Sequence, residues 1–404
     1  MSQIITSLDL GCSQFKGIVA EEKKDGSFSV ISAFKQPSFG FRKGTLIDFD
    51  EAFEALEAIF NDLKKISKKA VQNVFINLQS EYIKARPSRG AIAISSVDKE
   101  IKGEDVEKVN QLSLAFKANA NSFIIHNVTK EYIIDDVGDI FDPLGMVGNR
   151  LEVETLIIEG VSSQITPLLK LFNSLGVGIG GMIFNPLAAA QSTLSKKQKN
   201  LGVLLIDLGF GTTNIAIYEE GKLLYAKTIP IGSSYITNDI AIGLKIPIDL
   251  AEKLKVNFGK ISLSGSKREA IKLADFDGQS QGEISKKFLE EIIEVRMLEI
   301  LNLVEHEMKA IGRSVHLPGG VVITGGGSKL FGIEEILKNE LRLPVQIGLP
   351  NLNHLEILNP SYRELIDDQE FAVAVGLLLN NEFTKPKNTI SVKTLKNFLK
   401  NLLP

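Results

Sequence analysis

The sequence predicts an α/β protein built from two related lobes. Two stretches, SLDLGCSQFKGIVAEE at residues 7–22 and LIDLGFGTTNIAIYEE at residues 205–220, share Asp-Leu-Gly, an alternating apolar strand and a closing Glu-Glu. Each has the pattern of a strand, a glycine turn and a second strand that ends in a hairpin turn. Two copies of this unit, about half a chain apart, indicate two α/β lobes that face one another.

Composition narrows the class of protein. The 404 residues carry 46 basic and 49 acidic side chains, a net charge of −3, which argues against a protein that coats nucleic acid. A single cysteine excludes a disulfide framework and indicates a reducing compartment, and the four scattered histidines lack the spacing of a zinc site. Strand-like sequence begins near the start and no apolar run approaches the roughly 18 residues of a spanning helix. We therefore expect a cytoplasmic protein whose membrane contact is peripheral.

The elements follow in order. Residues 50–69 are predicted to be a helix because Asp near the start and Lys near the end match the helix dipole. Amphipathic patterns predict two of the later helices, and short apolar runs or a closing glycine predict the other three. These lie at residues 165–175, 186–194, 249–258, 286–311 and 371–379, and further strands are predicted at 74–78, 151–158, 202–206 and 320–323.

One segment of the first half has strands of its own and a charged helix near residues 105–117, which indicates a small inserted α/β module. The predicted boundaries are 1–80 and 161–198 for the first lobe, 81–160 for the insertion, 199–230 and 318–381 for the second lobe, 231–317 for a subdomain within it, 382–391 for a polar linker and 392–404 for a terminal amphipathic helix.

Three glycine turns, each after a strand, are the candidate phosphate-binding sites. Asp9 and Asp207 end the first strands of the two repeats, and the TGGGS stretch at residues 324–328 follows a third strand. Glycine lets the backbone N–H groups approach phosphate oxygens, and nearby hydroxyls add donors. The candidate nucleotide-binding residues are Gly11, Cys12, Ser13, Lys16, Gly209, Phe210, Gly211, Thr212, Thr213, Gly325, Gly326, Gly327 and Ser328. The two carboxylates suit Mg²⁺ held through its waters.

With these motifs the chain resembles the actin, Hsp70 and sugar-kinase superfamily, and within it the FtsA family of bacterial cell-division proteins over nearly its whole length. The most specific stretches are TNDIAIGL at residues 237–244, AEKLK at 251–255, FDPLGMVGNRLE at 141–152 and PLAAA at 186–190. The resemblance implies an actin-like two-lobed fold with duplicated ribonuclease-H-like domains. The first lobe would be subdomain IA, and the second lobe would consist of subdomains IIA and IIB. The insertion would be an SHS2-like subdomain IC.

The resemblance also implies an ATP cleft, with Asp9 and Asp207 near water-coordinated Mg²⁺ and with Glu252 and Lys255 beside the ribose and base. A solvent-exposed charge pair is the alternative for Glu252 and Lys255. Lys16 comes seven residues after the first Asp, where the family usually has Lys at five. Both offsets are odd, so a lysine at either position points to the same face of the strand. Lys16 therefore either reaches phosphate or is an exposed hairpin lysine.

Two further departures concern the second repeat and the hydrolytic step. Phe210 and Asn214 stand where Gly and Asp are usual, and Asn185 stands where the superfamily often has a Glu that positions the attacking water. An amide can hydrogen-bond water but cannot act as a base. The sequence therefore predicts slow or absent hydrolysis, with nucleotide acting as a conformational and polymerisation ligand.

The family implies two protein contacts. The insertion would contact the neighbouring subunit of a filament, with a purely stabilising module as the alternative. The long second-lobe helix would receive the C-terminal tail of the tubulin-like division GTPase FtsZ. Arg296 on that helix could pair with an acidic tail, or it could be a solvated surface charge.

The C-terminal residues 392–403 read VKTLKNFLKNLL. At about 100° per residue, six apolar side chains fall within an arc of about 140°. They are Val392, Leu395, Phe398, Leu399, Leu402 and Leu403, and the opposite side carries Lys393, Lys396 and Lys400. No acidic residue follows Glu382, whereas five lysines do. This pattern predicts an in-plane helix on an anionic membrane, and docking on the protein's own surface is the alternative.

Together with these features, the resemblance implies an ATP-binding, polymerising adaptor. It would anchor the FtsZ ring to the cytoplasmic face of the cell membrane at the septum and contact later divisome membrane proteins, without binding nucleic acid. A PilM-like scaffold of a type IV pilus machine is the main alternative. A kinase or a chaperone is less supported, because no further carboxylate base is evident and only about 22 residues follow Glu382.

Overall fold

The computed structural model describes residues 3–115, 121–261, 269–277, 282–312 and 317–379. The predicted linker at 382–391 and the predicted terminal helix at 392–404 lie outside these residues. In the described part of the chain, no helix is both long and apolar enough to cross a membrane.

Within residues 3–115 and 121–201, the structure has eleven strands and five α-helices. They are β1 (Gln3–Leu10), β2 (Gln14–Glu22), β3 (Phe28–Pro37), β4 (Phe41–Arg42), β5 (Thr45–Leu46), α1 (Phe49–Ile66), β6 (Val74–Leu78), β7 (Ile83–Ala93), α2 (Gly103–Ala115), β8 (Ser122–Ile134), β9 (Val137–Ile140), β10 (Arg150–Val161), α3 (Ser162–Ser174), β11 (Ile179–Phe184), α4 (Asn185–Thr193) and α5 (Lys196–Leu201). A short 3₁₀ helix, Lys68–Val71, follows α1.

The second half continues the series. It contains β12 (Val203–Leu208), β13 (Thr213–Glu219), β14 (Lys222–Ile229), α6 (Ser234–Leu244), α7 (Ile248–Phe258), β15 (Ala270–Lys272), α8 (Ala274–Asp277), β16 (Glu283–Ser285), α9 (Lys286–Ala310), β17 (Val321–Thr324), α10 (Ile333–Leu341), β18 (Val345–Ile347), β19 (Leu355–Glu356), α11 (Pro360–Ile366) and α12 (Ala372–Leu379), with 3₁₀ helices at Gly326–Lys329 and Gln369–Phe371.

The two central sheets have the same strand order. The first runs β11-β6-β1-β2-β3, with β19 as an additional strand beside β3, and the second runs β18-β17-β12-β13-β14. In both, three strands joined by hairpins are antiparallel, and the two strands beyond the first one run parallel to it. The repeated Asp-Leu-Gly stretch thus corresponds to a duplicated sheet. Each repeat's Asp lies where its strand ends beside a parallel neighbour, at the edge where α/β proteins place their ligands.

The inserted segment is a separate small layer. Its antiparallel sheet runs β7-β10-β8-β9, and α2 packs on β7. This layer has its own apolar core, which includes Ile94, Val109 and Leu151. The lobe-facing ends of β7, β8 and β10 join the core of the first lobe through residues such as Ile83, Phe123 and Ile158.

Helices α4 and α12 join the lobes. They pack on each other, α4 contacts β12 and β13 of the second sheet, and α12 contacts β1, β2 and β6 of the first sheet. Both helices are short; α12 is apolar on all sides, and most residues of α4 are buried, as expected for helices between two layers. Since α4 begins at Asn185, this packing brings the side chain of Asn185 to the junction of the two sheets.

Candidate functional site

A cavity of about 440 Å³ lies between the lobes. Five distant segments line it: the turns after β1 and β12, the first residue of α4, helix α7, and the 3₁₀ turn after β17. The predicted residues at the cavity are Asp9, Gly11, Cys12, Ser13, Lys16, Asn185, Asp207, Gly209, Phe210, Gly211, Thr212, Glu252, Lys255, Gly325, Gly326 and Gly327.

Two predicted residues do not line this cavity. The Thr213 hydroxyl donates to the Ile231 carbonyl at 2.7 Å, and the Ser328 hydroxyl donates to the Gly325 carbonyl at 2.6 Å. Both hydroxyls therefore form hydrogen bonds to nearby backbone and do not face the cavity. Strand alternation explains Thr213, because its neighbour Thr212 takes the cleft side.

A chain of hydrogen bonds joins the two carboxylates across the cleft. The Asn77 amide donates to Asp9 Oδ1 at 2.8 Å and to Asn185 Oδ1 at 2.7 Å. The Asn185 amide in turn donates to Asp207 Oδ2 at 2.6 Å. All four side chains are buried. Asn185 therefore links the carboxylate of one lobe to the carboxylate of the other.

The surroundings of Asp207 raise its pKa to about 6. Burial is the main cause and the Asp9 charge adds to it, while hydrogen bonds from the Asn185 and Asn214 amides oppose them. A buried carboxylate whose charge is destabilised in this way, with a second carboxylate nearby, forms a place where a cation is favourable. Oxygen donors of this type fit Mg²⁺, and two carboxylates suit an ion that keeps most of its waters.

Lys16 neutralises one of these carboxylates. Asp9 and Lys16 are cross-strand partners in the β1–β2 hairpin, and the Lys16 ammonium lies 2.8 Å from Asp9 Oδ2. Burial by itself would lower the pKa of Lys16, but the charge and hydrogen bond of Asp9 raise it. Lys16 is thus a largely buried cation at the cavity, with 13% of its side chain exposed, and the alternative of an exposed hairpin lysine does not describe it.

Glu252 and Lys255 form a pair at the far end of the cavity. Lys255 Nζ lies 2.7 Å from Glu252 Oε2, donates to the Thr237 hydroxyl at 2.9 Å, and lies 5.3 Å from the centre of the Phe210 ring. Burial lowers the pKa of Lys255, and this effect outweighs the charge of Glu252, which raises it. Lys255 is only 6% exposed, so this is not a solvated surface pair.

Gly325 shows why the third turn needs glycine. Its φ is +84°, and a Cβ at this position would lie 2.4 Å from Asp207 Oδ1. Only glycine combines this backbone conformation with so close an approach to a carboxylate. The turn therefore brings bare backbone against the carboxylate of Asp207.

The sequence interpretation missed several polar residues of the cleft, among them Asn77 and Gln79. Asn77 carries the bridge described above, and Gln79 donates to the Leu10 carbonyl at 2.9 Å and accepts from the Thr212 hydroxyl at 2.9 Å, which ties the two phosphate turns together. A signal was present, because Asn77 is the one polar residue of the predicted strand at 74–78.

Arg296 lies away from this cavity, on α9. Its guanidinium binds the Asp239 carboxylate at 2.5 and 3.0 Å and the Glu299 carboxylate at 2.5 Å, and it lies 5.7 Å from the Tyr235 ring. Arg296 is therefore paired within the second lobe. Its role toward FtsZ stays a prediction.

Sequence relatives cover most of the chain. A family profile described as "Cell division protein FtsA" matches residues 204–376, and one described as "SHS2 domain inserted in FTSA" matches residues 80–159. The cell division protein FtsA of Bacillus subtilis (strain 168) is 32% identical over 372 residues, which are 92% of this chain and 84% of that protein. The FtsA of Borreliella burgdorferi is 32% identical over 400 residues, 98% of this chain and 95% of that protein.

Solved structures share the fold at lower identity. A chain of the PilM–PilN type IV pilus biogenesis complex superposes with a TM-score of 0.66 and 16% identity, covering 95% of this chain and 99% of that chain. MreB5 of Spiroplasma citri bound to ADP gives a TM-score of 0.54 and 14% identity over 99% of both chains.

The duplicated sheets, the cleft between them and these structural neighbours define an actin-like protein with an SHS2 insertion, as the sequence predicted. Within that class, the chain belongs to the FtsA family of cell-division proteins.

Proposed function

We propose that this chain binds ATP with Mg²⁺ in the cleft and acts as a self-associating adaptor that holds the FtsZ ring at the cytoplasmic face of the cell membrane at the septum. One observation carries the nucleotide part: two buried carboxylates, Asp9 and Asp207, face a cavity of about 440 Å³ bordered by three glycine turns. Family membership and two MreB5 neighbours, described as bound to ADP and to AMPPNP, support the choice of ligand.

Each part of the cavity has a role in this proposal. The backbone N–H groups of the glycine turns bind the phosphates, and Lys16 adds positive charge beside them. Asp9 and Asp207 orient the water shell of Mg²⁺, which supplies charge neutralisation for the phosphates when bound. Glu252 and Lys255 bind the nucleoside end.

Asn185 limits the chemistry. Its amide nitrogen and oxygen are both used, on Asp207 and Asn77, and neither can take a proton from water. We therefore propose slow or absent hydrolysis, with ATP acting mainly as a ligand that holds the two lobes together for filament formation.

The membrane and partner parts rest on sequence and family. The basic amphipathic stretch at 392–404 would lie on anionic lipid, and filament formation would add the weak affinities of many such helices. The insertion would contact the next subunit of the filament. The region around Arg296 would bind the FtsZ tail, and later divisome membrane proteins would bind to the assembled filament. The fold likeness to PilM, at 16% identity, adds no support for a pilus function.

Two experiments test the proposal. Fluorescent ATP should bind wild-type protein only with Mg²⁺, and Asp207→Ala should weaken this binding at least about tenfold, equal to about 1.4 kcal/mol. Glu334→Ala, an exposed carboxylate on α10, is the matched control. Equal affinity in both variants would refute the site.

The second experiment is co-sedimentation with anionic liposomes. The full chain should pellet with the vesicles, and a chain that ends at Asn381 should stay in the supernatant. If both chains stay in the supernatant, with and without MgATP, the tether part of the proposal is wrong. If both pellet, the membrane contact lies outside the terminal stretch.

A further inference from the structure

An apolar groove lies on the first lobe, away from the cleft. Helix α1 covers the first sheet only in part, and the groove of about 610 Å³ runs between α1 and the face of β3 that carries Ser32, Phe34 and Gln36. These three residues alternate along β3, so they share one face. The floor and rim are mostly apolar: Phe34, Phe39, Ala55, Ile59, Leu63 and Ile66.

The groove exposes apolar surface that a folded protein normally covers. Phe39 is 55% exposed and Ile66 is 47% exposed. Both line the same groove, so they belong to one patch and are not isolated surface residues. A continuous patch of this kind marks a surface that contacts another apolar group.

The charges of the groove are all negative. Glu51, Glu54 and Asp62 line it, and none of its lining residues is Lys or Arg. Asp62 also pairs with Lys65, in an exposed pair one helical turn apart. An occupant that matches this surface has one apolar side and several positive charges.

We propose that the occupant is the chain's own C-terminal stretch at residues 392–403. Its six apolar residues fall on one side, and five lysines without any acid follow Glu382. The match is in both hydrophobicity and charge.

The length of the connection allows this contact. Helix α12 ends at Leu379 on the sheet that also supports α1, since α12 packs on β1, β2 and β6. Residues 380–391 provide twelve residues, which span up to about 40 Å when extended. That span suffices to pass from one face of a sheet to the other around its edge, because packed layers lie only about 10 Å apart.

Docking in the groove and binding to lipid exclude each other. The stretch has one apolar side, which faces either the groove or the membrane. This consequence rests on the proposed membrane function, whereas the groove contact itself does not. If nine-tenths of the molecules are docked, the apparent affinity for vesicles is about tenfold weaker than that of the free stretch.

A single indole can report on the contact, because the chain has no Trp. Phe398→Trp places the indole in the apolar side of the stretch. We compare this full-length chain with the same chain carrying Glu51→Lys and Glu54→Lys. The matched control carries Glu334→Lys and Glu335→Lys, an exposed acidic pair in the first turn of α10.

Without vesicles, the parent and the control should show blue-shifted emission and at least twofold less quenching by acrylamide than the groove variant. With vesicles of equal parts phosphatidylglycerol and phosphatidylcholine, the groove variant should bind about tenfold more tightly. The proposal is overturned if the parent is quenched as strongly as the groove variant. It is also overturned if the blue shift depends on protein concentration, which would identify a second copy as the occupant. If vesicles change the emission of no variant, the membrane tether fails, while the result without vesicles still decides the groove contact.

Discussion

The substitution Asn185→Asp tests the bridge between the lobes. In the wild-type chain the Asn185 amide donates to Asp207 Oδ2 at 2.6 Å. Aspartate has the same shape but replaces the donor with a carboxylate oxygen, so two like charges face each other in a buried site. One of them must keep a proton or the side chains must separate.

The geometry sets the magnitude. If the two oxygens relax to about 4 Å, their repulsion is about 4 kcal/mol at an effective dielectric constant of about 20. This repulsion corresponds to about three pKa units. It adds to the burial that already raises the pKa of Asp207 to about 6. The folded state would then hold a proton that the unfolded state has released, so stability falls as pH rises. We expect the variant to lose about 1.4 kcal/mol per pH unit relative to wild type between pH 6 and pH 8.

Urea unfolding followed by circular dichroism at pH 6, 7 and 8 measures this slope. Asn185→Ala is the control, because it removes the hydrogen bond without adding a carboxylate. It should cost about 1.5–3 kcal/mol, with a shallower pH dependence. A difference between Asn185→Asp and wild type that stays constant from pH 6 to pH 8 would refute the reasoning.

Two further predictions concern the edges of the cleft. Burial would raise the pKa of Glu370, but hydrogen bonds from Lys329 and Lys35 outweigh it and lower the pKa to about 2. Glu370→Gln should therefore cost about 1–3 kcal/mol at pH 7, and the cost should fade as pH falls from about 4.5 toward 2; an equal cost in urea unfolding at pH 3 and pH 7 would contradict this. A Cβ at Gly232 would lie 2.6 Å from the Phe210 carbonyl oxygen. Gly232→Ala should therefore displace the second phosphate turn and weaken ATP binding at least about tenfold. Titration curves with ATP that match those of the wild type would contradict this prediction.

Two of the second-lobe helices were predictable because each has an amphipathic pattern of apolar and polar residues. The predicted helix at 286–311 is observed as Lys286–Ala310, and that at 249–258 as Ile248–Phe258. The first helix ends earlier than predicted, at Ile66, because Ser67 takes an extended conformation and caps the 3₁₀ turn that follows. Local capping decides such an end, and periodicity does not report it.

Sequence by itself determined the duplication and its consequence. Two strand–turn–strand repeats, each with Asp before glycine, were enough to predict two equivalent sheets, because strand alternation and glycine turns are local properties of the chain. They were also enough to place Asp9 and Asp207 where strands end.

Only the tertiary structure decided which polar groups meet. Asn77 lies 108 positions from Asn185, yet they share a hydrogen bond, and Thr213 turned away from the cleft that Thr212 faces. The reason is physical. A periodic pattern shows which side of an element is apolar, whereas the partner of a buried amide or hydroxyl depends on how distant elements pack, since each buried polar group must find its hydrogen bond there.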